Sequence, residues 1–157
     1  MTDAEAVEQR LRLRAALATW SDGIQARAIE FVEGNRALLP RRITNAQLSG
    51  LASIADGAST FFEIRKFVSH QHEKAARAGR MDVQPYWAKL EKVLDGLPSQ
   101  AAQLWTRASR TPPEADRLDD LQRRLAREFV QHVIAHSLFV GRRQAEDRRG
   151  GSRGGER

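Results

Sequence analysis

Hydrophobic residues recur every three or four positions along most of the chain, which is the spacing of one face of an α-helix. Nowhere does the sequence alternate apolar and polar residues over several positions, as a half-buried strand would. The pattern therefore predicts an all-α protein, folded as a bundle of five to six helices.

Capping residues, prolines and glycines predict where the helices begin and end. Thr44 with Gln47 forms a capping box, Ser59 or Thr60 can start the following helix, and Gly79 suits the position just after its end. The first segment ends before Pro40, and Ser21-Asp22-Gly23 is a point where it could divide into two helices. The predicted helical segments are 2–39, 44–57, 60–78, 85–94, 98–108 and 114–140.

Each segment carries an apolar stripe that predicts its buried face. In the first segment the stripe is Val7, Leu11, Ala15, Ala18, Ile24, Ala28, Phe31 and Val32. In the third segment it is Phe61, Ile64, Val68, Gln71 and Ala75. In the last segment it is Leu118, Leu121, Leu125, Phe129, Val133 and Val140.

The sequence divides into a helical domain, residues 1–141, and a tail, residues 142–157, that is rich in glycine and arginine and is expected to be disordered. The tail contains two Arg-Gly-Gly units, which suit contact with single-stranded nucleic acid as well as a simple solubilising role. It carries six arginines against three acidic residues, a net +3 of the +6 of the whole chain. A phosphate-binding face on the folded domain must therefore come from segregated charge rather than from bulk composition.

Composition excludes several classes of function. The chain has no cysteine, which excludes disulfides, thiolate catalysis and cysteine-ligated zinc, and this suits a reducing cytoplasm. We expect no secretory leader and no membrane span, because the first residues are polar and no apolar run is long enough. No cofactor is expected.

Basic residues fall on helix faces. Lys66, His70, Lys74 and Arg77 share a face of the third segment, with Arg80 just beyond, and Arg41-Arg42 precedes the second segment. On the last segment Arg117, Arg124, Arg127 and Gln131 share a stripe. Such faces bind phosphate oxygens without reading bases. The interleaved acids Glu63, Glu73, Asp116 and Asp120 are equally typical of a solvated face on a protein-binding adaptor.

Two stretches, Arg65 to His70 and Arg127 to His132, match the Arg-x4-His pattern of a helical ribonuclease superfamily that includes many toxins. A histidine can move protons during attack of a 2′-hydroxyl on phosphorus, and an arginine can hold the phosphate. His132 and His136 also have the spacing of a metal-chelating pair, but no third ligand is evident and we predict no metal site.

Three segments, in this order, resemble the small helical subunit, or belly subunit, of the type III-A CRISPR effector complex. They are residues 43–48 (ITNAQL), which open a helix after an arginine-rich loop, residues 74–80 (KAARAGR), which end the next helix, and residues 129–141 (FVQHVIAHSLFVG), which close the last. The resemblance covers roughly residues 40–141 and includes the small subunits of related type III variants. Ser49 stands where the family carries an arginine, and His136 stands where it carries a tyrosine.

The resemblance implies a non-catalytic subunit whose copies stack head to tail beside the backbone and large subunits of the complex, with guide RNA and target RNA as partners. Base pairing supplies specificity in such complexes, so the protein needs only to hold the backbone of the duplex. The expected RNA contacts are Arg80 from the matching motif, Arg41 and Arg42 in the matching loop, and Lys74 and Arg77 on the same helix end. The charge pattern adds Arg65, Lys66, Arg124 and Arg127.

Overall fold

The computed structural model describes residues 1–153 of the chain, with side chains as far as Gly151. Within this range the chain is all-α, as predicted. The elements are α1 (Asp3–Gly34), a short 3-10 helix (Arg36–Leu38), α2 (Asn45–Gly57), α3 (Phe61–Arg77), α4 (Gln84–Ala108) and α5 (Ala115–Arg153).

The predicted starts of α2 and α3 are confirmed by their capping bonds. Thr44 Oγ1 accepts a hydrogen bond from the Gln47 N–H at 3.3 Å, and Gln47 Oε1 accepts one from the Thr44 N–H at 3.0 Å. Thr60 Oγ1 accepts from the Glu63 N–H at the start of α3. These bonds satisfy backbone donors that have no partner within the helix, so they fix where each helix begins.

The core is one cluster that draws on all five helices. The predicted stripes of α3 and α5 are confirmed, with Ile64, Val68, Leu125 and Phe129 completely buried. In α4, Tyr86 and Trp87 are buried, and Tyr86 packs edge-on against Trp87 at 5.2 Å between ring centroids. The tryptophans and the tyrosine therefore serve mainly to fill the bundle.

The predicted buried stripe of α1 is wrong in its first half. Val7 and Leu11 are exposed, and the buried positions there are Leu17 and, in part, Leu13. The helix is continuous through Ser21-Asp22-Gly23, because Leu17 and Ile24 keep it against the core on both sides of that point. The second half of the predicted stripe, from Ile24 to Val32, is confirmed.

The two helices predicted on either side of Pro98 form the single helix α4. A proline inside a helix removes one hydrogen bond and clashes with the preceding turn, at a cost of about 3 kcal/mol. Leu94, Leu97 and Ala101 are all completely buried around this point. Burying each leucine contributes about 2 kcal/mol, which offsets the proline and keeps the helix continuous.

Helices α1 and α5 run parallel. Ser21 Oγ donates to Glu128 Oε1 at 2.6 Å. About 18 Å further along α1 and about 12 Å further along α5, at a rise of about 1.5 Å per residue, His136 bonds Glu33 at 2.9 Å. The beginning of α1 and the end of α5 therefore lie at opposite ends of the bundle.

Helix α5 continues beyond Gly141, where the tail was predicted to begin, as far as Arg153. Gly141 is buried against Pro40, and Gln144 Nε2 donates to the Arg36 carbonyl at 2.9 Å, so the helix is still held by the body at this point. The segment that follows contains alanine, glutamate and arginine, which favour helix. Residues 154–157 of the predicted tail lie outside the described residues.

Candidate nucleic-acid interface

Arg80 is positioned by the way α3 ends. Gly79 has a φ of +67°, the left-handed conformation that glycine adopts without strain. The Gly79 N–H bonds the Ala76 carbonyl at 3.1 Å and the Arg80 N–H bonds the Ala75 carbonyl at 3.0 Å. These two bonds form a Schellman motif, as the glycine predicted. The Arg80 carbonyl then accepts from the Gln84 N–H at 2.9 Å, so Arg80 is fixed between α3 and α4.

The loop before α2 presents Arg41 and Arg42 to solvent because its apolar residues are buried. Leu39 and Ile43 are almost completely inaccessible, and the N–H groups of Arg42 and Ile43 both bond the Leu38 carbonyl at 2.9 Å. Arg42 Nε lies 3.1 Å from Asp82 Oδ2, and the Arg80 guanidinium lies 3.4 Å from the Arg42 carbonyl. The loop and the end of α3 are thereby joined.

Lys74 and Arg80 also line a recess of about 120 Å³ whose floor includes Val83 and Trp87. Gln47, from the capping box of α2, and Gln71 complete its polar wall. We call the set Arg41, Arg42, Lys74, Arg77 and Arg80 the loop surface. In the part of the chain that the structure describes, Arg41, Lys74 and Arg77 have no acidic partner within ion-pair distance.

All three segments of the sequence resemblance meet at this end of the bundle. The start of α2 and the end of α3 share the recess, and the closing part of α5 contacts the same loop through Gly141 against Pro40 and Gln144 on Arg36. The start of α2 and the end of α3 therefore contribute to one recess, and the third segment packs against the loop beside it.

Arg65 and Lys66 lie on the earlier turns of α3, in a groove of about 330 Å³. We call it the α3 groove; it is lined by Phe62, Arg65, Lys66, Ser69, His70, Glu73 and Glu91. Arg65 pairs with Asp95 at 2.7 Å, and Glu91 pairs with His72 at 3.0 Å. Arg65 and His70, the first Arg-x4-His pair, therefore line the same groove.

Arg124 and Arg127 lie elsewhere, in a groove of about 220 Å³ between α5 and the end of α2. We call it the α5 groove; it is lined by Ala55, Asp56, Ala58, Asp120, Arg123, Arg124 and Arg127. Since α2 rises about 1.5 Å per residue, its two ends are roughly 20 Å apart. The nine predicted RNA contacts are all exposed, and they form three groups rather than one surface.

The second Arg-x4-His pair is not brought together. Arg127 lines the α5 groove, whereas His132 is half-buried and is not part of that groove. His136 bonds Glu33, and no cluster of three or more metal-ligating side chains occurs among the described residues.

The Glu33 carboxylate, near the end of α1, bonds His136 of α5 at 2.9 Å. Its hydrogen bond with His136, aided by the Arg36 guanidinium at 3.0 Å, lowers the pKa of Glu33 below its ordinary value. The pairing joins the end of α1 to α5.

No protein-family model, curated protein or solved structure matches this chain. None of the helices in residues 1–153 has both the length and the apolarity needed to cross a membrane.

Sequence reasoning missed several residues around these groups. Arg123 donates to the Ala58 carbonyl at 3.1 Å and to Asp120, although it lies off the predicted stripe of α5. Phe62 stands exposed beside the basic residues of the α3 groove. Gln47 was predicted only as a helix-capping residue, and the structure also places it in the recess with Lys74 and Arg80.

A further groove, of about 540 Å³, lies at the opposite end of the bundle, where α1 and α5 begin. Its apolar floor includes Leu13, Leu17 and Trp105, and the arginines around it include Arg10 and Arg117. Arg124 is the one predicted RNA contact that it shares.

Proposed function

We propose that this protein is a non-catalytic small subunit of a CRISPR type III RNA-guided interference complex, in which it binds the backbone of the guide–target RNA duplex and bridges neighbouring subunits. The observation that carries the proposal is that the first two resembling segments line one recess beside the loop surface, while Gly141 of the third packs against the same loop at Pro40.

The chemistry of the loop surface supports contact with phosphate rather than with bases. Its five side chains are arginines and a lysine, which bind phosphate oxygens through charge and hydrogen bonds. They stand on backbone fixed by the Schellman motif and the buried loop residues, so binding requires little ordering of the chain. A guide-directed complex needs this sequence-independent contact.

The bridging role draws on the two ends of the molecule. Because α1 and α5 are parallel, one end carries the acidic start of α1, with Asp3 and Glu5, and the other carries the continuation of α5 beyond Gly141. Val7 and Leu11 are exposed on α1, and Leu138 and Phe139 are exposed on α5. Ends of different character suit head-to-tail stacking of copies, and the exposed apolar side chains suit contact with backbone and large subunits.

The experiment is co-purification of the tagged protein from its own operon in the cytoplasm, with mass spectrometry and RNA sequencing of what accompanies it. Guide RNA together with large CRISPR subunits is the expected result, and replacing Arg77 and Arg80 by glutamate should reduce the recovered RNA strongly. Recovery of protein partners without any RNA would favour an adaptor, and recovery of the protein alone, or with one small partner, would defeat the proposal.

The α3 groove favours a second candidate, a ribonuclease of the Arg-x4-His type, because it holds Arg65 and His70 together. Arg65 is engaged by Asp95, and Glu73 and Glu91 add negative charge where a phosphate would bind. Cleavage of RNA by the purified protein, abolished by His70→Ala and retained by His72→Ala, would support this candidate over the first.

A further inference from the structure

Phe62 is an exposed aromatic residue at the start of α3. Its side chain is 66% exposed, whereas Phe61 beside it is 4% exposed and faces the core. Phe62 therefore contributes little to the bundle, and an aromatic ring held in water has no stabilising role there. A single exposed phenylalanine needs no explanation by itself, so its surroundings decide what it can do.

Those surroundings are concave and carry charges of both signs. Phe62 lines the α3 groove together with Arg65, Lys66 and His70, and Glu73 and Glu91 also line it. Arg65 is paired with Asp95, and Glu91 is paired with His72. Among the described side chains, Lys66 and His70 have no ion-pair partner. A volume of about 330 Å³ is at the small end of the range for ligand sites.

The second exposed phenylalanine of the chain provides a contrast. Phe139 already has His136 at 5.9 Å and the Arg143 guanidinium at 5.7 Å from its ring centroid. Phe62 has no aromatic ring or cation stacked on it in the described part of the chain. The faces of the Phe62 ring are thus open to a flat partner, and those of Phe139 are engaged by its own helix.

We infer that the α3 groove binds one unpaired nucleotide of single-stranded RNA, with the base stacked on Phe62 and the adjoining phosphate held by Lys66. This inference rests on the proposed function, because it assumes that the protein contacts RNA, and it adds a second kind of contact to the duplex backbone at the loop surface. Combining a stacking ring with cations that follow the backbone is how sequence-independent single-strand binding works.

The test uses the full-length chain and two probes, a single-stranded oligouridine and an abasic ribose-phosphate oligomer of the same length and charge. Phe62→Leu should weaken oligouridine binding about tenfold and leave abasic binding unchanged, because only the base stacks on the ring. Phe62→Tyr should bind oligouridine like the wild type. Phe139→Leu is the matched control, since it removes an exposed phenylalanine whose ring is already engaged, and it should leave both affinities unchanged.

Unchanged oligouridine binding by Phe62→Leu overturns the inference, as does an equal loss for both probes, which would indicate a change of fold or of charge placement. Circular dichroism shows whether each variant keeps its helices. If the wild type binds an RNA duplex through Arg77 and Arg80 but ignores Phe62 and single strands, only this inference fails. If it binds neither duplex nor single strand, both this inference and direct RNA contact by the isolated chain fail.

Discussion

The loop surface, at the start of α2, and the α5 groove, at its end, differ in how their polar groups are paired. At its start, the backbone is satisfied locally by the Thr44–Gln47 capping box and by the Schellman motif at Gly79. At its end, α5 supplies the partners: Arg123 bonds the Ala58 carbonyl, Gln131 bonds Asp56, and Asp119 accepts from the Phe61 N–H. Among the described residues, Arg41, Lys74 and Arg77 of the loop surface have no acidic partner, and Arg42 pairs with Asp82. In the α5 groove, Arg123 serves to join two helices.

The largest expected effect tests this difference directly. Two charges are removed from the loop surface or from the α5 groove, and RNA affinity is measured for each variant. Arg77→Gln with Arg80→Gln should weaken binding of an RNA duplex roughly tenfold or more at physiological salt, and lower the slope of log K against log salt by about 2. The measurement is fluorescence anisotropy over a series of salt concentrations.

The matched variant is Arg124→Gln with Arg127→Gln, which removes the same charge from the α5 groove and should change the affinity and the slope much less. Equal losses from the two double variants would mean that the chain attracts RNA through net charge alone, and the distinction between the two groups would fail.

The next largest effect is expected from changing the backbone conformation at Gly79, which positions Arg80. Gly79→Ala forces a residue with a Cβ into the left-handed conformation at φ +67°, which should lower the free energy of unfolding by about 1 kcal/mol and displace Arg80. RNA affinity should fall with it. Urea denaturation and the same anisotropy assay measure the two quantities.

Gly23→Ala is the control for that change, because Gly23 lies inside α1 with nothing within 4 Å of an added Cβ. It should raise the free energy of unfolding by up to about 1 kcal/mol through helix propensity and leave RNA binding unchanged. A loss of stability in Gly23→Ala similar to that in Gly79→Ala would count against the role given to the Schellman motif.

Arg123→Ala tests the structural use of the α5 groove. It removes the hydrogen bonds to the Ala58 carbonyl and to Asp120, so the free energy of unfolding should fall by about 1 kcal/mol while RNA affinity stays near the wild-type value. Arg124→Ala, one residue along, should leave stability within about 0.5 kcal/mol of wild type. Reduced RNA affinity in Arg123→Ala at unchanged stability would reverse the assignment.

The fold was largely predictable from the sequence because helical spacing and capping residues act locally. Thr44, Gly79 and the stripes of α3 and α5 are set by neighbouring residues. The errors arose where packing between distant segments decides which residues are buried and whether a helix continues. Burial on both sides keeps α4 helical through Pro98, and packing on α4 and α5 selects Leu13 and Leu17 over Val7 and Leu11.

The candidate site was less predictable from the sequence than the fold. The helical spacing of charged residues does not show which of them form hydrogen bonds or ion pairs with another helix. The sequence grouped Arg124 and Arg127 with the other basic residues, and the fold places them about 20 Å away, at the opposite end of α2. It also gave no sign that Arg65 is held by Asp95 or Arg42 by Asp82, because those pairs join different elements.

The smallest expected effect concerns the pairing of Glu33 with His136, which joins the end of α1 to α5. Because folding lowers the pKa of Glu33, its stabilising effect is fully present above the unfolded-state pKa, about 4.5, and is lost as pH falls through the lower folded-state pKa. The melting temperature of the wild type should therefore fall more steeply below about pH 4.5 than that of Glu33→Gln, which cannot ionise. Glu30→Gln, one turn earlier on the same helix and also exposed, should retain the wild-type slope. Parallel curves for wild type and Glu33→Gln would show that the pairing is too exposed to stabilise the contact between α1 and α5.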